Sequence, residues 1–240
     1  MSVAVELVDE LRLATIAATP EGMSRTLLDA FADLVQHDGP DPEHAGVYYQ
    51  DRELRGAICA TALEAQLLHM AVHAGQPRNA LEIGSYVGWT AAHMASALTN
   101  GGHLVCIDDL SEGGDKEWQL RRFKGNLMRA GLDGRVRLEI GRSPDVLSSQ
   151  LFPGPVDFAF VDGWHWNGQP LADVRAVAGL MAADGVVALH DTYMNDVAAA
   201  MDWLIMAGWT ATIFPTPGRL AMLYKEQPTW WAGFVEDTSA

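Results

Sequence analysis

Residues 80–90 read Ala80-Leu81-Glu82-Ile83-Gly84-Ser85-Tyr86-Val87-Gly88-Trp89-Thr90, and this stretch decides the fold. Leu81 and Ile83 suit a short buried strand. Gly84 and Gly88 then let the backbone turn tightly and approach a ligand that a Cβ would exclude. Thr90 and the largely apolar run 91–98 open a helix whose unpaired N–H groups face the turn. A ligand is expected there.

Outward from this turn, strand and helix alternate, which predicts a parallel sheet covered on both faces. Strands are expected at 79–83, 103–107, 136–140, 156–161 and 185–189, with helices between them and a fifth connecting helix at 195–207. Two last strands, 210–214 and 219–224, are joined by Pro215-Thr216-Pro217-Gly218, too short for a parallel crossover, so they must run antiparallel. The fold class is therefore α/β: a Rossmann-like, doubly wound, mostly parallel sheet of seven strands with an antiparallel terminal hairpin. Ahead of it, 5–16 and 21–35 have helical spacing, the second opened by Thr19-Pro20. Residues 36–50 read as a loop in which Tyr48 and Tyr49 pack over a neighbouring site, and 52–74 as a long helix. The chain divides into a helical extension (1–75), the sheet domain (76–226) and a tail (227–240).

Composition removes several function classes. With 240 residues the chain builds one large core. Its 31 acidic and 16 basic residues leave a formal charge of −15, a field that repels phosphate backbones and excludes nucleic acid as substrate. Cys59 and Cys106 form no disulfide framework and no zinc cluster. Glu6, Asp9 and Glu10 replace the basic start of a signal peptide, and no apolar run approaches the ~18 residues of a membrane span. A cytoplasmic protein without a membrane partner is expected.

The glycine spacing is not Gly-x-Gly-x-x-Gly, and Glu82 would repel a diphosphate yet can pair with a cationic amino-acid group. The segment resembles motif I of class I S-adenosylmethionine-dependent methyltransferases, in particular the small-molecule O-methyltransferases with Leu-Glu-Ile-Gly-x-x-x-Gly-x-Ser/Thr. The resemblance implies S-adenosylmethionine as cofactor, held by Glu82, Gly84, Ser85, Gly88 and Thr90. Cys106-Ile107-Asp108-Asp109 ends a strand in acids, where a carboxylate can accept both ribose hydroxyls. Asp108 is the first choice, with Asp109 beside it. Ser143, after the third strand, stands where such enzymes contact adenine; equally, Ser143-Pro144 suits a helix start. Residues 110–118, with Gly113-Gly114, read as a lid.

Two apolar strands end in acid and imidazole: Val161-Asp162-Gly163-Trp164-His165 and Leu189-His190-Asp191. As parallel neighbours they would bring Asp162 and Asp191 to about 5 Å, a separation that calls for a cation or a proton. Catechol-type and sugar-type O-methyltransferases use an acid after the fourth strand and an adjacent pair after the fifth, which implies a divalent metal on Asp162, His190 and Asp191. The pattern departs at His190 and Thr192, where relatives carry a second acid or asparagine. His190 suits Mn²⁺, Fe²⁺ or Zn²⁺ better than Mg²⁺, and a metal-free site stays open. Asp-Gly-x-His…His-Asp is also similar to the macrocin and rhamnosyl branch.

His165 occupies the place of the catechol-type catalytic lysine, so it is the first choice for the base that takes the acceptor's proton. His190 is second, and Asp162 serves both the donor and the catalytic histidines. Trp164, Trp166 and Trp118 are candidates for an apolar wall around the acceptor, or for covering a core edge. The expected activity is methylation of a hydroxyl on a small molecule such as a secondary metabolite. The alternatives are a metal-free N- or C-methyltransferase and a decayed nucleotide-binding or scaffold protein. The accessory helices leave a homodimer open.

Overall fold

The computed structural model describes residues 5–7, 30–31, 34–38, 47–51, 59–99, 101–112 and 114–239. In chain order these give β1 (Val5–Leu7), β2 (Leu34–Asp38), β3 (Val47–Asp51), α1 (Ala62–Gly75), β4 (Asn79–Ile83), α2 (Trp89–Ala97), β5 (His103–Asp108) and α3 (Lys116–Arg129). Then follow β6 (Val136–Ile140), β7 (Val156–Val161), α4 (Gln169–Ala178), β8 (Met181–Leu189), α5 (Asn195–Met206), β9 (Thr210–Ile213), β10 (Ala221–Tyr224) and α6 (Trp231–Ser239).

The main sheet runs β1-β9-β10-β8-β7-β4-β5-β6. Its seven expected strands are all present. β4 through β8 pair in parallel, and β10 is antiparallel to both β8 and β9. Short β1 adds an eighth strand parallel to β9. β4 pairs with β5 on one side and β7 on the other, so the chain reverses direction across the sheet there. In open α/β sheets a ligand crevice forms at the carboxyl ends of strands beside such a reversal.

Strand parity splits the core. Ala80, Leu104, Cys106, Phe158, Phe160 and Ala188 face one layer, with residues of α1, α2, α3 and α6. Leu81, Ile83, Val105, Ile107, Ala159 and Val187 face the other, with α4 and α5. Alternate side chains bury on opposite faces, so both sides of the central strands are apolar.

The N-terminal third departs from the sequence reading. The helix expected at 5–16 is strand at Val5–Leu7, and its remainder lies outside the described residues. Within 21–35, Ala30 is helical but 34–35 belong to β2. The loop expected at 36–50 contains parts of an antiparallel pair, β2 with β3. The β-branched and aromatic residues Val35, Val47, Tyr48 and Tyr49 favour such pairing over the helix or loop assigned to them. The long helix expected from 52 begins only at Ala62, because Thr61 caps it in a reciprocal box with Glu64; residues 52–58 lie outside the described set. The expected tail carries α6, whose Trp231 and Phe234 are buried against the α1 layer. Among the described residues no helix is long and apolar enough to cross a membrane.

Candidate active site

The turn after β4 is set by backbone contact. At Gly84, φ is 84°, and a Cβ would lie 2.1 Å from the Asp162 carbonyl oxygen, so only glycine lets the ends of β4 and β7 meet. Gly88, also left-handed, starts α2 without a side-chain cap. Asp108 clamps the turn from the end of β5: its Oδ2 accepts from the Ser85 and Tyr86 N–H groups, both at 2.8 Å. Its Oδ1 accepts from Leu110 N at 2.7 Å and Gln119 Nε2 at 3.1 Å. Burial raises the Asp108 pKa, against the backbone hydrogen bonds that lower it.

Glu82, the expected partner of the donor's ammonium group, stands outside the cavity lining. It is fully buried beneath the turn, where it accepts from Thr90 Oγ1 at 2.6 Å and from Cys106 Sγ at 3.2 Å. Burial pushes its pKa up to about 7, against the hydrogen bonds of Ser85, Thr90 and Cys106.

A cavity of about 650 Å³ opens above the sheet. Of the expected donor residues, Gly84, Ser85, Thr90, Asp108, Asp109, Ser143 and Asp162 line it; Glu82 and Gly88 are not among its lining. Asp109 Oδ1 accepts from Ser111 N at 3.0 Å, closing the turn that follows β5. No helix begins at Ser143, correcting one of its two readings, because residues 143–146 form a turn in which Leu147 N bonds back to the Pro144 carbonyl. Ser143 is buried at the cavity wall beside Gln169 and Asp173. Burial raises Asp173 to about 6.

The far end of the cavity holds the acid and imidazole cluster. β7 and β8 are parallel neighbours with Val161 opposite Leu189, and Asp162 and Asp191 converge as their spacing predicts. Asp191 takes a left-handed backbone, φ 55°, an uncommon conformation for a non-glycine residue. His165 Nε2 is 3.3 Å from Asp162 Oδ1 and 3.4 Å from Asp191 Oδ2. His190 Nδ1 lies 3.2 Å from Asp162 Oδ1 and 3.4 Å from Asp191 Oδ2. Its Nε2 is 3.0 Å from Glu64 Oε2.

Burial alone would lower the His190 pKa, but the carboxylates of Asp162, Glu64 and Asp191 raise it well above the usual imidazole range. Burial likewise opposes, and Asp162 and Asp191 outweigh it, in raising His165. Asp162 is held far below the carboxylate range: its burial is overcome by the His190 charge and by hydrogen bonds from both histidines.

These contacts redistribute the expected ligand set. Both His190 nitrogens face carboxylates, whereas ligating atoms of Asp162, His165 and Asp191 all lie within 4.8 Å of one another. Two carboxylates and one imidazole fit a borderline divalent cation such as Mn²⁺, Fe²⁺ or Zn²⁺. Among the described residues the grouping close enough to share an ion is Asp162, His165 and Asp191, with His190 outside it. Thr192 is unavailable, since its buried hydroxyl donates to the Arg219 carbonyl.

Trp164 and Trp166 line the cavity mouth, half-exposed and edge-to-face with centroids 4.9 Å apart. Trp118 is not with them: it packs on the α2 and α3 core with the Arg122 guanidinium over its ring. In the expected lid, Leu110 is buried, Ser111 and Glu112 line the cavity, and α3 starts at Lys116.

Sequence reading missed Glu64 and Tyr193. Tyr193 joins the cavity wall, and burial with the Asp191 charge pushes its pKa up to about 12, so its hydroxyl stays protonated. Glu64 left one signal, a lone acid in the apolar stretch 62–72 three residues after Thr61.

Known proteins resemble this chain in sequence and in fold. A family model described as a methyltransferase domain (Methyltransf_24) matches residues 81–192. A catechol O-methyltransferase of Mycobacterium tuberculosis is 31% identical over 207 residues, which cover 80% of this chain and 90% of that protein. The chain belongs to the class I S-adenosylmethionine-dependent O-methyltransferases. A catechol O-methyltransferase of Niastella koreensis is 29% identical over 142 residues, 58% of this methyltransferase and 60% of the relative. Among solved structures, cofactor-bound Rv0187 from MTB superposes with a TM-score of 0.66 at 22% identity, covering 90% of this chain and 96% of that one. The O-methyltransferase TomG from Streptomyces achromogenes, in complex with SAM, gives 0.64 at 20% identity over 88% and 93%. At those identities the likeness concerns the fold.

Proposed function

We propose that this methyltransferase moves the methyl group of S-adenosylmethionine to a hydroxyl of a small aromatic molecule, with His165 accepting the hydroxyl proton. One observation carries the reading: a single cavity runs from Gly84, Ser85 and Asp108 to Asp162, His165 and Asp191. The glycine turn and Asp109 receive the amino-acid and ribose parts of the donor, Asp108 keeps the turn in shape, and Ser143 meets the adenine. Methyl transfer from a sulfonium is an in-line displacement, so most of the catalytic help is positioning. Trp164, Trp166 and Tyr193 would hold an aromatic acceptor beside the His165 ring.

A second reading rests on the convergence of Asp162, His165 and Asp191. A divalent cation held by those three would supply Lewis acidity to the acceptor oxygen. The two readings exclude each other at one atom, since His165 Nε2 serves either as proton acceptor or as ligand. Either reading takes a small molecule as the acceptor.

Calorimetry with S-adenosylmethionine, followed by transfer of labelled methyl to a panel of hydroxylated aromatics with and without chelator, tests both. Heat on donor addition and chelator-resistant transfer are expected. Absence of donor binding removes the proposal, and chelator-abolished transfer restored by Mn²⁺ or Fe²⁺ selects the second reading.

A further inference from the structure

We propose that Glu64, delivered from the first turn of α1, is a positioning residue that fixes the His190 ring and through it the Asp162 carboxylate; this rests on the reading of Asp162 and His165 as the acceptor end. Glu64 is fully buried. Its Oε1 accepts from the Gly218 N–H at 2.6 Å, and its Oε2 accepts from Thr61 N at 2.9 Å and Thr61 Oγ1 at 2.7 Å. The same Oε2 lies 3.0 Å from His190 Nε2.

A capping box needs only Thr61 and a solvated carboxylate, and is worth about 1 kcal/mol. Sealing the carboxylate away from water costs far more unless its other lone pairs are matched. The matching groups come from 154 and 126 residues further along the chain, in the β9–β10 connection and at the end of β8. The contact is close. A Cβ on Gly218 would stand 2.3 Å from His190 Nε2 and 2.8 Å from Glu64 Oε1, so a glycine here lets hairpin backbone lie directly on the pair. The His190 ring thus has the Glu64 carboxylate against Nε2, Phe160 packed edge-on, and Asp162 Oδ1 at 3.2 Å from Nδ1. Asp162 Oδ1 in turn meets His165 Nε2. An oriented ring whose second nitrogen is fixed by a carboxylate is the general device for aiming the first.

The full-length chain with S-adenosylhomocysteine bound provides the test, through long-range ¹H–¹⁵N spectra of the histidine rings. His190 and His165 resonances are assigned by their loss in His190→Asn and His165→Asn. Glu64→Gln is expected to speed exchange of the His190 ring proton by about tenfold or more and to shift the His165 resonances, with S-adenosylhomocysteine affinity within about threefold of wild type. Thr61→Ala removes the cap and one hydrogen bond to Glu64 Oε2 but keeps those from the Thr61 and Gly218 N–H groups, and is expected to lower the melting temperature while shifting both rings much less than Glu64→Gln does. If Glu64→Gln fails to fold, Gly218→Ala displaces the ring from the other side and is expected to shift the same resonances. Unmoved His190 and His165 signals in the folded variant, or equal shifts in Thr61→Ala, overturn the proposal. Absence of S-adenosylhomocysteine binding by the wild-type chain counts instead against the donor reading, because the Glu64–His190 signals exist without ligand.

Discussion

The two ends of the cavity are built in opposite ways. The donor end is mostly one contiguous stretch, β4, its turn and the start of α2, clamped by Asp108 from the next strand. It is made largely of backbone, and its main demand on side chains is that Gly84 have none. The acceptor end is made of side chains from separate segments: Glu64 on α1, Asp162 and His165 after β7, His190 and Asp191 after β8. The first needs one stretch and its neighbouring strands; the second exists only when α1 is docked on the sheet as well. Substitutions should therefore separate binding from chemistry according to the end they touch.

The largest effect is expected for His165→Ala. General-base contributions run to about 10²–10⁴-fold, so kcat for labelled-methyl transfer should fall in that range while donor Kd stays within a few-fold. Because Asp162 and Asp191 raise the His165 pKa above its ordinary value, the neutral, proton-accepting ring forms only on the alkaline side of about pH 6.5. Wild-type kcat/KM should rise with pH through that raised pKa and then level off, and the limb should vanish in the variant. Equal losses of kcat and donor affinity would erase the distinction between the two ends.

Gly84→Ala should act on the donor end. Left-handed strain and a methyl 2.1 Å from the Asp162 carbonyl predict destabilisation of at least about 2 kcal/mol by denaturant titration, together with loss of S-adenosylhomocysteine binding. A stable variant that binds normally would mean the turn relaxes freely.

Glu82→Gln sharpens the contrast in the other direction. An acid whose folded pKa is raised from 4.5 to about 7 favours folding below 4.5 and loses that stability as pH rises through 7. The amide should be more stable than wild type at pH 8 by up to about 3 kcal/mol, and the gap should close by pH 4. Melting curves across that range check the sign. The smallest effect is expected for Trp166→Ala, a severalfold rise in acceptor KM with kcat and donor affinity held. Trp118→Ala should leave acceptor KM unchanged, since Trp118 packs against the core and does not line the cavity.

What the sequence disclosed follows the same division. The parallel core was legible because each strand is a short apolar run bounded by turn residues, and the terminal hairpin because Pro215–Gly218 is too short to cross over. Asp162 and Asp191 could be paired once their strands were neighbours. Glu64 could not, since its partners are distant in the chain and its local context is satisfied by a helix cap. The roles of His165 and His190 were assigned by position along the strands, while the choice between them depends on which nitrogen another side chain already occupies. The start of β2 was taken into the helix at 21–35, and the rest of β2 with most of β3 was misread because Gly39, Pro40 and Pro42 suggested a loop, outweighing the extended preference of Val47, Tyr48 and Tyr49.

The left-handed backbone of Asp191 has a consequence for engineering. Residues held in that region cost on the order of 1–3 kcal/mol, and glycine there would relieve most of it. Asp191→Gly should therefore relieve the strain while removing a carboxylate that faces both histidines, so the two changes offset each other in stability and only the anionic cradle is weakened outright. That position therefore couples backbone strain to the charge of the cluster.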